Sequence, residues 1–188
     1  LPWIGARTAG VDDAHVRFLT GVANPVGVKV GPGLTADGLL AICERLDPDR
    51  RAGRLVLISR MGAGQVAKRL PGLVAAVLRA GHPVVWLCDP MHGNTVQGPR
   101  GLKTRHVAAI EAEVTGFHRV LTEAGIRPGG LHLEATAGDV TECVGGRADG
   151  RVAEGDVPLR YTTACDPRLN RRQAHDVVRL FADLMTTD

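Results

Sequence analysis

Five short apolar runs punctuate the first 134 residues, and each gives way, directly or after a loop, to a longer segment with apolar residues three and four apart. The runs are LPWIG (1–5), PVGVKV (25–30), RLVLIS (54–59), PVVWLC (83–88) and GLHLE (130–134). Near-continuous apolarity with β-branched residues suits strands covered on both faces, as in a parallel sheet. Asp12 to Thr20, Thr35 to Leu46, Ala63 to Ala80 and Arg105 to Ala124 carry the helical spacing, and Asn170 to Met185 adds another helix. Repeated β-α alternation predicts right-handed crossovers and a parallel α/β sheet, either closed as a barrel or open and doubly wound. Periodicity alone does not choose between the two. Pro71 and Gly72 are expected to kink or divide the stripe of Val66, Leu70, Leu73, Val74 and Val77. The Gly- and charge-rich stretch Gly145 to Pro158 reads as a surface excursion.

The 188 residues are enough for one domain with a sizeable core, near the lower edge for a closed eight-unit barrel. A net charge of +3 with dispersed basic residues and only 3% aromatics argues against nucleic acid and leans weakly toward an anionic substrate. No apolar stretch approaches the roughly 18 to 20 residues that span a bilayer, and no secretory leader is apparent, so no membrane partner and a cytoplasmic location are expected. Cys43, Cys88, Cys143 and Cys165 are widely spaced without C-x-x-C pairs, which predicts reduced and mostly buried thiols. Leu1 rather than Met opens directly on a strand, which suggests a piece of something longer.

In either architecture ligands bind at the carboxyl ends of the strands. Those ends carry Ala6-Arg7-Thr8, Lys29, Arg60, Asp89 with His92, and Glu134. Lys29 lies inside an apolar run, so it is either a solvated edge-strand lysine or an inward residue with an anionic partner, and the cost of burying it unpaired favours the second. Arg60 follows a fully apolar strand and needs a carboxylate or phosphate for its planar fork, or an internal salt bridge. With Arg7, three cations share one rim, which suits a small phosphorylated carboxylic acid. His92, Glu134 and Asp166 each have a plain alternative as a capping His, a carboxylate paired with Arg60, and a turn residue before Pro167. Together they make an N/O donor set suited to Mn²⁺, Fe²⁺, Co²⁺ or Zn²⁺. Gly62-Ala63-Gly64 and Gly31-Pro32-Gly33 match neither phosphate-binding glycine motif and read as tight turns.

Six strings can now be read together: WIGARTAGVDDAHV, NPVGVKVGPG, RLVLISRMGA, CDPMHGNTV with GLKTR, GGLHLEATAGDVTECVGG, and YTTACDPRLN. In unbroken order over nearly the whole chain, they closely resemble the type II 3-deoxy-D-arabino-heptulosonate 7-phosphate (DAHP) synthases and the related phenazine-pathway synthases. The resemblance implies a (β/α)8 TIM barrel, with the five runs as strands four to eight and residues 1–188 as a single C-terminal barrel portion. It implies the first step of the shikimate pathway, a transferase reaction condensing phosphoenolpyruvate with erythrose 4-phosphate. By the same resemblance His92, Glu134 and Asp166 hold a divalent metal, Mn²⁺ first among the candidates. Arg7, Lys29, Arg60 and the backbone around Ala6 hold phosphoenolpyruvate, with Lys29, Arg60 and His92 as catalytic positions. Lys103 and Arg105 fall near the second substrate.

Two departures stand out. Ala6 and Ala9 occupy positions where the type II pattern has Glu and Arg. No segment matches the family's early strands, which carry a metal-binding Cys and a further Arg. The expected partner is therefore a second copy of the chain or the missing barrel half, with little activity from this chain alone. Two alternatives remain: a related enzyme acting on another aldehyde, and a non-catalytic half-barrel needing a partner chain.

Overall fold

In sequence order, the parallel strands β1 (Trp3–Ile4), β2 (Val26–Val30), β3 (Leu55–Ser59), β4 (Val85–Cys88) and, further along, Gly130–Leu131 lie side by side. The computed structural model describes residues 1–147 and 150–186. An order that never reverses excludes the doubly wound alternative. Right-handed crossovers between successive neighbours put every connecting helix on the same face. The helices α1 (Ala14–Thr20), α2 (Ala36–Leu46), α3 (Val66–Arg79), α4 (Val107–Glu123) and α5 (Arg171–Thr186) accordingly pack in a row, each against the next. The sheet is thus singly wound.

The strand period of two sorts the side chains. Val26, Val28, Val30, Leu55, Leu57, Trp86 and Cys88 face the helices, meeting Leu39, Ile42, Leu70, Val74, Ile110, Val114 and Phe117 in one core. Gly27, Lys29, Val56, Ile58, Val85 and Leu87 point to the other face, in register rows Gly27–Val56–Val85 and Lys29–Ile58–Leu87. That face curls inward. Trp3 on the first strand and His132 just past the last have ring centroids 5.0 Å apart in an edge-to-face contact.

Most elements fall where the apolar pattern puts them. Thr35 caps α2, its hydroxyl accepting the Gly38 N–H at 3.1 Å. Pro71 does not divide α3, which runs unbroken from Val66 to Arg79. Proline inside a helix costs about 3 kcal/mol. Here it sits on the exposed side, while Leu70, Leu73, Val74 and Val77 are buried on the other. Burying such side chains contributes roughly 1.5–3 kcal/mol each, so the packed face outweighs the lost backbone bond.

Two features depart from the pattern. An antiparallel pair, β5 (Thr95–Gln97) and β6 (Lys103–Arg105), projects beyond β4, and its arms are too short and too polar to read as strands. The last sheet strand, β7 (Gly130–Leu131), stops before Glu134, and a single parallel bridge between Ala135 and Leu169 extends the ladder. The stretch Gly145 to Pro158 bridges back on itself at Gly145 and Val152 and then enters a 3-10 turn, Glu154–Arg160. Its Ala148 and Asp149 lie outside the described residues. Cys43, Cys88 and Cys143 are buried free thiols, and burial pushes those of Cys43 and Cys143 up to about 12. Cys165 is free and exposed. Among the described residues no helix is long and apolar enough to cross a membrane.

Candidate active site

Asp89 organises the rim at the carboxyl ends of the strands. It follows β4, is fully buried, and its N–H donates to the Ser59 carbonyl at 2.7 Å, one rung beyond the β3–β4 ladder. Its Oδ1 accepts the Met91 and His92 N–H groups at 3.0 and 3.3 Å. Its Oδ2 pairs with the Lys29 ammonium and lies 2.7 Å from His92 Nδ1. Burial alone would raise this carboxyl, but the His92 hydrogen bond and the Lys29 charge hold it well below the usual carboxylate range. Lys29 is only 5% exposed, and burial lowers its pKa despite the attraction of Asp89. Removing one member of a pair this deep costs about 3–5 kcal/mol, because it strands the other charge.

His92 is pinned at both nitrogens. With Nδ1 on Asp89, its Nε2 lies 3.2 Å from Glu134 Oε1. The hydrogen bonds to Asp89 and then Glu134 raise its pKa to about 9. Glu134 in turn receives the Arg105 guanidinium on Oε2 at 2.6 Å. Burial opposes its ionisation, but the bonds from His92 and Arg105 keep its pKa lowered. Asp166 receives Lys103 Nζ at 3.0 Å, and that bond lowers its carboxyl. One donor atom from each of His92, Glu134 and Asp166 lies within 4.8 Å of the others. An imidazole oriented by a carboxylate and two carboxylates each held by a cation form a donor set that fits a divalent metal.

Arg60 leaves β3 with its N–H on the Val30 carbonyl at 2.9 Å and donates Nη2 to the His92 carbonyl at 2.8 Å. Arg7 sits exposed in a 3-10 turn, Ala6–Thr8, beyond β1. A cleft of about 570 Å³ is lined by Ala6, Arg7, Lys29, Arg60, His92, Lys103, Glu134 and Asp166, all of them singled out from the sequence. Trp3, Thr95 and His132 complete much of its wall. Burial and then the Lys29 charge lower the His132 pKa, which favours a neutral imidazole at pH 7. Arg105 is placed differently from the other predicted residues: it is fully buried behind the wall, bonded to Glu134, Thr95 and the Pro167 carbonyl.

Two buried carboxylates had no role in the sequence reading. Glu142 accepts the N–H groups of Thr162, Thr163 and Arg168 at 3.1, 2.9 and 2.8 Å and pairs with the Arg168 guanidinium at 2.6 Å, so it anchors the loop that carries Asp166. Glu113 reaches the loop after β3 from α4. Its signal was legible, since it sits between Ile110 and Phe117 on the apolar stripe of its helix, three and four residues from them.

The parallel sheet gathers cations and a metal-suited donor set around one cleft at its carboxyl rim, which defines the class as an α/β protein with a candidate site at its strand ends. The chain belongs to the Class-II DAHP synthetase family, whose family model matches residues 1–182. It is 55% identical over 173 residues to a probable phospho-2-dehydro-3-deoxyheptonate aldolase of Pseudomonas fluorescens, which covers 92% of this chain and 42% of that protein. It is 47% identical over 183 residues to the phospho-2-dehydro-3-deoxyheptonate aldolase AroG of Mycolicibacterium smegmatis, covering 97% of this chain and 39% of that protein. A phospho-2-dehydro-3-deoxyheptonate aldolase of Streptomyces coelicolor is 48% identical over 182 residues, covering 97% and 40%. The chain therefore spans about two fifths of the length of these curated relatives.

Proposed function

We propose that this chain is the phosphoenolpyruvate- and metal-binding wall of a DAHP synthase, which converts phosphoenolpyruvate, erythrose 4-phosphate and water to DAHP and phosphate. The observation that carries the reading is one shared cleft: eight residues from seven separate segments, scattered over 160 positions of sequence, line it together. On this reading the sheet is strands four to eight of a (β/α)8 barrel. Its unreversed strand order, one-sided helix row and inward curl support that assignment.

Arg60, Arg7 and Lys29 hold the carboxylate and phosphate of phosphoenolpyruvate, and the turn at Ala6 offers backbone N–H groups to the phosphate. Lys29 also stands ready to relay a proton, since burial already lowers its pKa. His92, Glu134 and Asp166 would hold a divalent metal, Mn²⁺ first among the candidates, and such a metal supplies Lewis-acid polarisation of the aldehyde carbonyl. Carbon–carbon bond formation joins C3 of phosphoenolpyruvate to the aldehyde carbon, water adds at C2, and phosphate leaves with its bridging oxygen. The residues of this chain orient the anion and hold it against the aldehyde. Lys103, which lines the cleft, is assigned to the second substrate, whereas Arg105 acts from behind by fixing Glu134.

Among the described residues the first strand has one unpaired edge, and past the last strand only the single bridge between Ala135 and Leu169 continues the sheet, which calls for a covering partner, either the remaining barrel strands or a second chain. This chain alone is accordingly expected to turn over slowly or not at all. The decisive experiment replaces the matching segment of the Pseudomonas fluorescens relative with this chain. A folded chimera that consumes phosphoenolpyruvate only when erythrose 4-phosphate and Mn²⁺ are present supports the proposal. A folded chimera that consumes none contradicts it.

A further inference from the structure

Glu113 is a fully buried carboxylate with no salt bridge among the described residues, an arrangement that is costly unless every oxygen is used. Both oxygens are used, and on two different loops. Oε1 accepts the N–H groups of Met61 and Gly62 at 2.8 and 2.9 Å, immediately after Arg60. Oε2 accepts the Asn94 side-chain amide at 2.7 Å, two residues after His92. Asn94 spends the rest of its amide on the same junction, accepting the Ala63 N–H at 3.0 Å and donating to the Pro90 carbonyl at 2.8 Å.

The backbones of these loops also touch. A Cβ on Gly93 would lie 2.3 Å from the Gly62 nitrogen, and one on Gly62 would lie 2.7 Å from the Gly93 carbonyl oxygen. Above this contact Arg60 donates to the His92 carbonyl. Two strand ends, one bearing the anion-holding guanidinium and one the metal-facing imidazole, are thus clamped from below by a side chain that lines neither cleft nor surface.

We propose that Glu113 is a positioning residue that fixes Arg60 relative to His92. The inference rests on the function assigned above for the meaning of those two residues, but the clamp itself is a separate physical claim. The choice of Glu over Gln is part of the argument. A Gln at 113 could still accept two backbone N–H groups with its carbonyl, but its NH₂ would then face the NH₂ of Asn94. Turning Asn94 over to answer it would break the bonds to Ala63 and Pro90 together. A purely apolar residue would leave all three donors unpaired.

The test compares Glu113→Gln with Val177→Ala, a cavity variant at a fully buried position on α5, away from the rim. Nitrogen-15 NMR of the Arg60 guanidinium reads the clamp without any ligand, and calorimetric titration with Mn²⁺ and with phosphoenolpyruvate reads its consequence. In Glu113→Gln the Arg60 guanidinium should lose its restricted rotation while the β3 amides stay protected from exchange, and both affinities should fall about tenfold together. Val177→Ala should lower the unfolding midpoint yet leave the Arg60 signal and both affinities within about twofold. An Arg60 signal unchanged by Glu113→Gln overturns the inference whatever the affinities do. A released Arg60 in a chain whose unaltered form binds neither ligand upholds the clamp and refutes the functional reading instead. If Glu113→Gln does not fold, Asn94→Ala severs the same link from its other end, and the same Arg60 signal decides.

Discussion

Two arginines flank the same five-residue strand and do opposite work. Arg54, just before β3, is 6% exposed and gives its guanidinium to backbone carbonyls of Leu19, Val22, Asn24 and Leu46. It ties the end of α1, the following loop and the end of α2 to the start of the sheet, where exposed helix carbonyls need donors. Arg60, just after β3, makes one side-chain hydrogen bond among the described residues, to the His92 carbonyl, and lines the cleft. The amino end spends its guanidinium on carbonyls; the carboxyl end gathers Arg60, Arg7 and three potential metal ligands around open space, with Lys29 on its wall paired to Asp89. The contrast places a stabilising arginine at the amino ends of the strands and the candidate site at the carboxyl ends, the division expected where loops at one face carry the chemistry.

Four variants or conditions can break that division. His92→Ala should have the largest effect, lowering Mn²⁺ affinity on the order of a thousandfold, since an oriented ligand and not merely its support is lost. Calorimetric titration measures it, and an unchanged affinity would move the metal elsewhere. Arg54→Met should destabilise the fold by about 3 kcal/mol in urea unfolding, because several buried carbonyls lose their donor at once, while ligand affinities hold. Arg60→Met should do the reverse, weakening phosphoenolpyruvate binding roughly thirtyfold, or about 2 kcal/mol, with a stability change under about 1 kcal/mol.

The smallest effect is a proton. With the His92 pKa raised to about 9 from an ordinary 6.5, its contribution to folding is full below about pH 6.5 and lost as pH rises through 9. A metal must displace that proton, so Mn²⁺ binding at pH 7 should release about one proton and tighten as pH approaches 9. Titrations in buffers of different ionisation heat count it, and no release would argue against His92 as a ligand.

Much of this contrast was legible in the sequence, and the reason is physical. A parallel strand covered on both faces must be apolar throughout, so Lys29 inside VGVKV and Arg60 against RLVLIS announce themselves as exceptions. The helices likewise followed from spacing, Thr35 marking one start. What could not be read is polar structure that leaves no apolar trace. The β5–β6 hairpin has arms of three residues, and only its observed position explains why Arg105 is buried while Lys103 faces the cleft. The loop holding Asp166 depends on Glu142, twenty or more residues away in sequence, and half of the bonds to its carboxylate come from backbone groups that carry no residue identity. Pro71 shows the opposite failure: a strong local signal for a break, overruled by the buried face of α3.

The central claim is that a metal at His92, Glu134 and Asp166 and an anion at Arg60 and Lys29 occupy the same cleft. Phosphorus NMR of phosphoenolpyruvate, titrated with the chain and Mn²⁺, tests it directly, because the electron spin of Mn²⁺ shortens phosphorus relaxation only at close range. Strong relaxation enhancement that disappears in both His92→Ala and Arg60→Met is the predicted result. Phosphorus relaxation that is the same with and without an intact His92 would contradict the account.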